Sequence, residues 1–515
     1  MKLITSGLIA LSALIQTGFA ASPLAPQQPN IIVFLVDDMG LMDTSVPMLV
    51  DAEGKPKRYP LNDWYRTPSM ERLAACGIRF SQFYAQSVCS PTRTSLITGQ
   101  NATRHRVTNW ITPTGNNAGP RGPRNWKWEG LGKSDTTLPS VLRNAGYRTI
   151  HIGKAHFGPK GSEGADPANI GFNINIAGDC WGQPKSYFSE DHFGNHPKYS
   201  NPTHNIPHLE KYYDSGTFLT EALTREATNQ IEKSVKDRKP FYLNLAHYAV
   251  HTPFQADPRF PSHYVNSKKP VPAQAFATLI EGIDKSLGDI LDELERLGIA
   301  ENTLILFLGD NGTDAPLGGN HDMACAAPLR GKKGTHYEGG MRVPFLAAWA
   351  KPDPSNPLQS RFPITPNTIQ TQLGTVMDVF PTVLDAAGVS TPKAHVLDGS
   401  SLRTLLTAQK DPSRKEVFLM HYPHSHRSQY FTSYRSGDWK LIYHYNPDKL
   451  SQPTQELFNL SKDPSEENDL ARTNPEKVTA MIQAMAQQLE DEGALYPVDK
   501  DGHSLKPKAL APSLQ

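Results

Sequence analysis

Residues Pro29–Gly40 read PNIIVFLVDDMG, and this run decides the fold. An unbroken apolar stretch rich in Ile and Val, with no alternation, predicts a strand buried on both faces of a parallel sheet. It stops abruptly at Asp37-Asp38. In open α/β sheets the ligand crevice lies just outside the carboxyl ends of the strands. Two adjacent carboxylates there are costly unless something cationic neutralises them.

The same grammar recurs along the chain. TPSMERLAACGIRFSQFYA (Thr67–Ala85) predicts a helix capped near Thr67, stopped at Gly77 and followed by a strand. SDTTLPSVLRNAGYRTIHIGKAHFG (Ser134–Gly158) predicts a cap at Asp135 or Thr136, a helix, a stop at Gly146, a strand from Tyr147 to Ile152, and a polar end at Lys154–His156. KPFYLNLAHYAVHTPFQ (Lys239–Gln255) is a strand running into His247 and His251. The helical period of Ala275–Gly298 precedes TLILFLGDNG (Thr303–Gly312), a strand ending in Asp310-Asn311. Strands alternating with helices predict a large, mostly parallel α/β domain over residues 29–400, with four polar strand ends on one edge. Asn101–Lys133 and Gly158–Ser215 read as long loops over that edge. Residues 414–495 differ: short strands around a Ser-Gly-Asp turn, then the amphipathic run Glu476–Gly493, predict a small antiparallel sheet with one packed helix. The tail from Tyr496 reads as loose.

The bulk composition excludes other classes. The 515-residue chain carries a formal net charge of +1, which gives no field for nucleic acid or a membrane surface. Residues 1–20, MKLITSGLIALSALIQTGFA, have Lys2, an apolar run and small residues before Ala21, as in a cleaved secretory signal peptide. Export to the periplasm or medium, without a stable membrane anchor, is the expectation. The four cysteines, Cys76, Cys89, Cys180 and Cys325, are widely spaced and form no zinc pattern.

Asp37, Asp38, Asp310 and Asn311 supply oxygen ligands, which favour a hard cation, calcium or magnesium. Arg93, Lys154 and one of Lys332 or Lys333, with His156 and His251, could surround a tetrahedral oxyanion. A hard cation beside such groups suits sulfuryl or phosphoryl transfer. Cys89 opens a helical run, but a plain thiolate is out of place beside a hard metal.

CSPTR (Cys89–Arg93) followed by TSLITG resembles the signature of the type I, formylglycine-dependent sulfatases of the alkaline phosphatase superfamily. VDDMG, GKAHFG, HYAVHTPF, LGDNG, LRGKKGTHYEGGMRVP, SGDWKLI and ELFNLSKDPSEENDLA extend the resemblance from about Pro29 to Ala471. It implies that a maturing enzyme oxidises Cys89 to formylglycine, whose hydrate attacks sulfur and later expels sulfate. It implies one calcium ion on Asp37, Asp38, Asp310, Asn311 and residue 89. Arg93 would orient the nucleophile, Lys154 and Lys333 hold sulfate oxygens, His156 act as base and His251 as acid. The expected substrates are sulfated carbohydrates, met by loop residues such as Arg104, Trp110, His321 and Asp322. His105, Arg121, Arg124, Trp126, Trp128 and Trp181 are further candidates on those loops. Rival readings are a phosphodiesterase or phosphonate monoester hydrolase of the same superfamily, and a silent glycan-binding protein.

Overall fold

A computed structural model describes residues 28–201, 203–317, 325–446, 448 and 455–508. Residues 1–20, read from the sequence as a signal peptide, lie outside the described residues, as do His321 and Asp322. An eight-stranded sheet forms the body: β1 (Asn30–Val36), β2 (Gly77–Phe80), β3 (Arg148–Gly153), β4 (Ile174–Ile176), β5 (Phe241–His247), β6 (Thr303–Gly309), β7 (Phe345–Trp349) and β8 (Thr368–Gln370). Their spatial order is β8-β2-β7-β6-β1-β5-β3-β4. All pairings are parallel except those of β7, which runs against both β2 and β6.

β1 is central, and its alternate residues enter two separate cores. Ile32, Phe34 and Val36 pack with Pro68–Cys76 (α1), Leu219–Lys236 (α4) and Val271–Arg296 (α5). Ile31, Val33 and Leu35 pack with Cys89–Thr98 (α2), Leu138–Asn144 (α3) and Val379–Ala387 (α6). A strand covered by helices on both faces has no polar side to show, which is why its sequence lacks alternation.

A second, antiparallel sheet consists of β9 (Val417–Ser425), β10 (Gln429–Ser436), β11 (Trp439–His444) and β12 (Gln455–Asn459), in that order. Helix α7 (Pro475–Asp491) buries Val478, Met481, Ile482, Met485 and Leu489, one face of its 3.6-residue period, against this sheet.

Several local expectations are corrected. The cap of α3 is Thr137, whose hydroxyl accepts from the Ser140 amide at 3.3 Å, while Asp135 pairs with Lys127. Gly146 is left-handed as a helix stop requires (φ 93°), but Gly77 is extended. Gly77 is needed for close approach instead: a Cβ there would lie 2.1 Å from the Ala347 carbonyl oxygen of β7. The segment 158–215 is not all loop, since β4 adds an edge strand to the main sheet. The tail does not hang free up to Lys508. The Tyr496 ring packs on His421 and Tyr445, and the Lys508 amide donates to the Tyr443 hydroxyl at 3.3 Å.

Candidate active site

The parallel registers bring four strand ends together. Val36 stands opposite His247 on β5 and Gly309 on β6, and Gly153 of β3 stands opposite Ala246. Asp37, Asp310 and Lys154 therefore leave neighbouring strands side by side. Backbone bonds continue the ladder past the strands: Asp310 N–H to Val36 O at 3.0 Å, Lys154 N–H to Ala246 O at 2.7 Å, and Val250 N–H to Asp37 O at 2.7 Å.

Cys89 is the first residue of α2, and its Sγ lies 3.5 Å from Asp37 Oδ1. Asp37, Asp38, Cys89 and Asp310 each offer one ligand atom within 4.8 Å of the others, and all four are buried. Three cations surround them. Lys154 Nζ is 2.8 and 2.7 Å from the two Asp37 oxygens. Lys333 Nζ is 2.6 Å from Asp38 Oδ1. Arg93 Nε donates to Asp310 Oδ2 at 2.9 Å, and its Nη1 to the Lys154 carbonyl at 2.7 Å. Three carboxylates facing three cations let this much charge be buried, since a buried carboxylate without such partners is very costly.

Of the two adjacent lysines, the structure places Lys333 in the centre. Its amide donates to Thr313 O at 2.9 Å, and the next amide, of Gly334, donates to Ser87 O at 2.8 Å. Lys332 stands 4.0 Å from Asp314.

The two histidines are oriented by their own hydrogen bonds. A carbonyl only accepts, so His156 carries its proton on Nε2, which donates to Ile111 O at 2.7 Å. Its Nδ1 is a buried acceptor with no partner. The imidazole lies flat on Gly182, where a Cβ would come within 2.7 Å of the ring. His251 donates from Nδ1 to Thr252 O at 3.1 Å, turning Nε2 towards Asp38 at 3.6 Å. His156 and Asp38 both hold left-handed backbone (φ 59° and 58°), a strained conformation found at functional positions.

Burial dominates the ionisation of the site. It pushes the Cys89 thiol up to about 12 despite Lys154 and Lys333. It drives His156 well below the ordinary histidine range, and His251 down to about 3. Burial also raises Asp38, but Lys333, His251 and Lys154 outweigh it and hold that carboxyl below the usual range. Burial and the Asp37 charge lift Asp310 to about 6.

The donor set fits a hard divalent cation. Besides the three carboxylates, Asn311 donates from Nδ2 to Asp38 Oδ1 at 2.9 Å, leaving its own Oδ1 buried and unpartnered. An orphaned carbonyl oxygen among carboxylates is a hard ligand of the kind that suits such a cation. The Cys89 sulfur is the one soft atom in the set.

Cys89, His156, His251 and Lys333 open into a cavity of about 300 Å³. Its rim carries Trp110, Gln183, His204, Asp314, His426 and Arg427. Of these only Trp110 was expected from the sequence. Arg104 is not brought there; it makes a bidentate pair with Asp398, 2.7 Å at the closest. His105 bonds Ser95, Arg121 pairs with Asp448, Arg124 lines another groove, and Trp126 is core. His247 turns to Ser286 on α5. All four cysteines are free.

Comparison with known proteins gives this arrangement a lineage. Residues 29–389 match the sulfatase family model, and residues 332–494 match the model described as N-sulphoglucosamine sulphohydrolase, C-terminal. The chain is 32% identical over 418 residues to mouse (Mus musculus) N-acetylgalactosamine-6-sulfatase, covering 78% of this chain and 70% of that one. A sulfatase of Formosa agariphila is 28% identical over 548 residues, covering 92% of each. The solved structure of Ps i-CgsB in complex with k-i-k-neocarrahexaose superposes with a TM-score of 0.70 at 26% identity, over 92% of this chain and 96% of that one. The matched segment 29–389 holds every charged group of the centre from Asp37 to Lys333. The chain thus belongs to the sulfatase family and is a hydrolase of sulfuric esters.

Proposed function

We propose that this enzyme removes sulfate from sulfated carbohydrates outside the cytoplasm, using formylglycine made from Cys89 and one calcium ion. The observation that carries the reading is the place of Cys89. It is a soft sulfur at the first turn of a helix, among three carboxylates within 4.8 Å, with its thiol pushed up to about 12. As a thiol it is neither an ionised nucleophile nor a fitting ligand. Conversion to formylglycine would put there, once hydrated, a hydroxyl nucleophile that suits a hard cation. CSPTR is the segment a maturing enzyme would read.

Asp37, Asp38, Asp310, Asn311 and residue 89 would hold the calcium, which would supply positive charge to polarise the ester's sulfate oxygens. Lys154 and Lys333 bind sulfate oxygens as point charges, and Arg93 orients residue 89 from α2. The open Nδ1 of His156 accepts a proton from residue 89, while its Nε2–H stays on Ile111 O. His251 bonds the sulfate near the leaving oxygen. The rim offers one indole, two further imidazoles and a guanidinium, groups suited to a sugar ring and its hydroxyls. The oligosaccharide named with Ps i-CgsB and the sugar named for the mouse relative point to the same substrate class.

The test is the mass of the tryptic peptide Phe80–Arg93 from protein made in its natural host. Formylglycine at position 89 is expected. Unmodified cysteine in protein that turns over aryl sulfates would overturn the mechanism. Faster turnover of the matching phosphodiester would overturn the substrate class. An intact mass beginning at Ala21 would support export.

A further inference from the structure

We propose a second metal site, for a zinc-type transition-metal ion, formed by His336, His444 and Glu456 at the seam between the main body and the small sheet. His336 lies three residues after Lys333, in the segment leading to the short helix Glu338–Met341. His444 ends β11 and Glu456 is the second residue of β12. Ile442 stands directly opposite Glu456 in the antiparallel register. His444 is two residues on from Ile442, so His444 and Glu456 share one face as diagonal neighbours. Ile442 on that face packs with Tyr337, Phe458 and Leu460, which brings the neighbouring His336 over the same spot.

One nitrogen of each histidine and one Glu456 oxygen lie within 4.8 Å of one another. His444 Nε2 is 2.7 Å from Glu456 Oε1, and His336 Nε2 is 3.8 Å from the same oxygen. The His336 and His444 rings stand edge to face, 4.8 Å apart. The independent observation is His336 itself: both ring nitrogens are buried and neither has a hydrogen-bond partner. A buried imidazole with no partner for either nitrogen has lost its water without a hydrogen bond in exchange. A metal ion between the three groups would satisfy Nε2 outright. The side chains of His336, His444 and Glu456 are 14%, 21% and 24% exposed, so an ion can enter from solvent.

Two neutral imidazoles and a carboxylate form a donor set that prefers zinc and its neighbours to calcium. Three ligands leave a fourth position for water, and the Tyr337 hydroxyl donates to the other Glu456 oxygen, Oε2, at 3.4 Å. Coordination through His444 Nε2 needs that ring in its Nδ1–H tautomer. Metal binding here would tie the Lys333 segment to β11 and β12. It would be distinct from the oxygen centre on the strand ends.

The test uses the full-length protein in excess calcium, equilibrated with Zn2+ or Co2+, with bound metal counted by mass spectrometry. One equivalent of zinc is expected in the wild type, with a tetrahedral visible absorption band when Co2+ replaces it. The H336Q/H444Q variant should lose that equivalent and that band while keeping its calcium. No transition metal bound to the folded wild type overturns the proposal, whatever the variants do. An equivalent that persists in a folded H336Q/H444Q protein overturns it as well. E456Q, which keeps both imidazoles, should weaken zinc binding at least about tenfold.

Discussion

Two clusters of buried charge among the described residues can be set side by side, and the proposed reaction uses only one of them. One is the centre on the strand ends: Asp37, Asp38 and Asp310 against Arg93, Lys154 and Lys333. The other lies where the small sheet meets the body. There Lys440 Nζ reaches Glu338 at 3.1 Å and Glu466 at 2.6 Å, Tyr84 donates to Glu338 at 2.5 Å, and Arg435 donates to Tyr84. Both clusters are shut away from bulk water by burial; Glu338 and Glu466 are 0% exposed, as are Asp37 and Asp310. Buried charge therefore does not distinguish a reacting centre from a structural clamp. What distinguishes them is the company: the first includes Cys89, His156 and His251 on a cavity wall, and acceptors at Asn311 Oδ1 and His156 Nδ1 left without donors. The second ties the small sheet to the short helix Glu338–Met341 of the body.

Substitution in each cluster should separate rate from stability. Cys89→Ala is expected to lower turnover of an aryl sulfate by about a thousandfold or more, the scale seen when a nucleophile is removed. Its unfolding midpoint should stay close to wild type, because no ion pair is lost. A variant that keeps even a tenth of the activity would remove residue 89 from the chemistry. Lys440→Ala should do the opposite. It strands Glu338 and Glu466 without their shared ammonium, and breaking a buried pair this way costs about 3–5 kcal/mol. Denaturant titration would read that loss, while turnover by the remaining folded protein should hold within about twofold. A Lys440→Ala protein that is as stable as wild type but inactive would reverse the assignment of the two clusters.

The first cluster was legible in the sequence and most of what surrounds it was not. Asp37-Asp38 and Asp310-Asn311 end apolar runs, and a parallel sheet puts such ends on one edge, so local pattern was enough. Between Lys332 and Lys333 pattern alone could not choose, since the choice depends on the Thr313 and Ser87 carbonyls that pin the segment. Gln183, His204, Asp314, His426 and Arg427 reach the rim from four separate segments, with no periodic signal to join them. His426 and Arg427 sit in the turn joining β9 and β10, which periodicity reads only as a hairpin. The antiparallel β7 was missed for a related reason: FLAAW is apolar whichever way it runs. Gly77 was misread because close packing against β7 and a left-handed helix stop both call for glycine.

A buried carboxyl with weaker compensation sharpens the comparison. Glu492, just after α7, is 7% exposed. Burial first, then the charge of Asp398, push it up to about 8, and Thr103 donates to it. A folded-state value above the unfolded one means the folded chain holds the proton where the unfolded chain has lost it. The stabilisation is complete below about pH 4.5 and is lost as pH rises through about 8. Wild-type melting temperature should therefore fall by a few degrees between about pH 6 and about pH 9. Glu492→Gln should flatten that part of the profile; an unchanged slope would place the titration elsewhere.

The smallest effect should come from the rim. Arg427 pairs with Asp314 at 2.7 Å, and its side chain is 32% exposed, so its removal should cost under about 1 kcal/mol of stability. His426 stands on the same turn, with its ring 6.3 Å from that of Trp110. Arg427 also donates from Nη1 to the Lys333 main-chain carbonyl at 3.2 Å, a bond to the backbone and not to the ammonium, so a substrate too small to reach either rim side chain should react as in the wild type. Exchanging both for alanine is expected to raise KM for a sulfated oligosaccharide several-fold, with kcat nearly unchanged, and to leave a small aryl sulfate unaffected. That split is what loss of binding shared equally by ground and transition states looks like. If kcat for the aryl sulfate fell as far, the turn between β9 and β10 would belong to the reacting centre. The proposed contrast between a charged interior for the chemistry and a rim for the sugar would then fail at its outermost point.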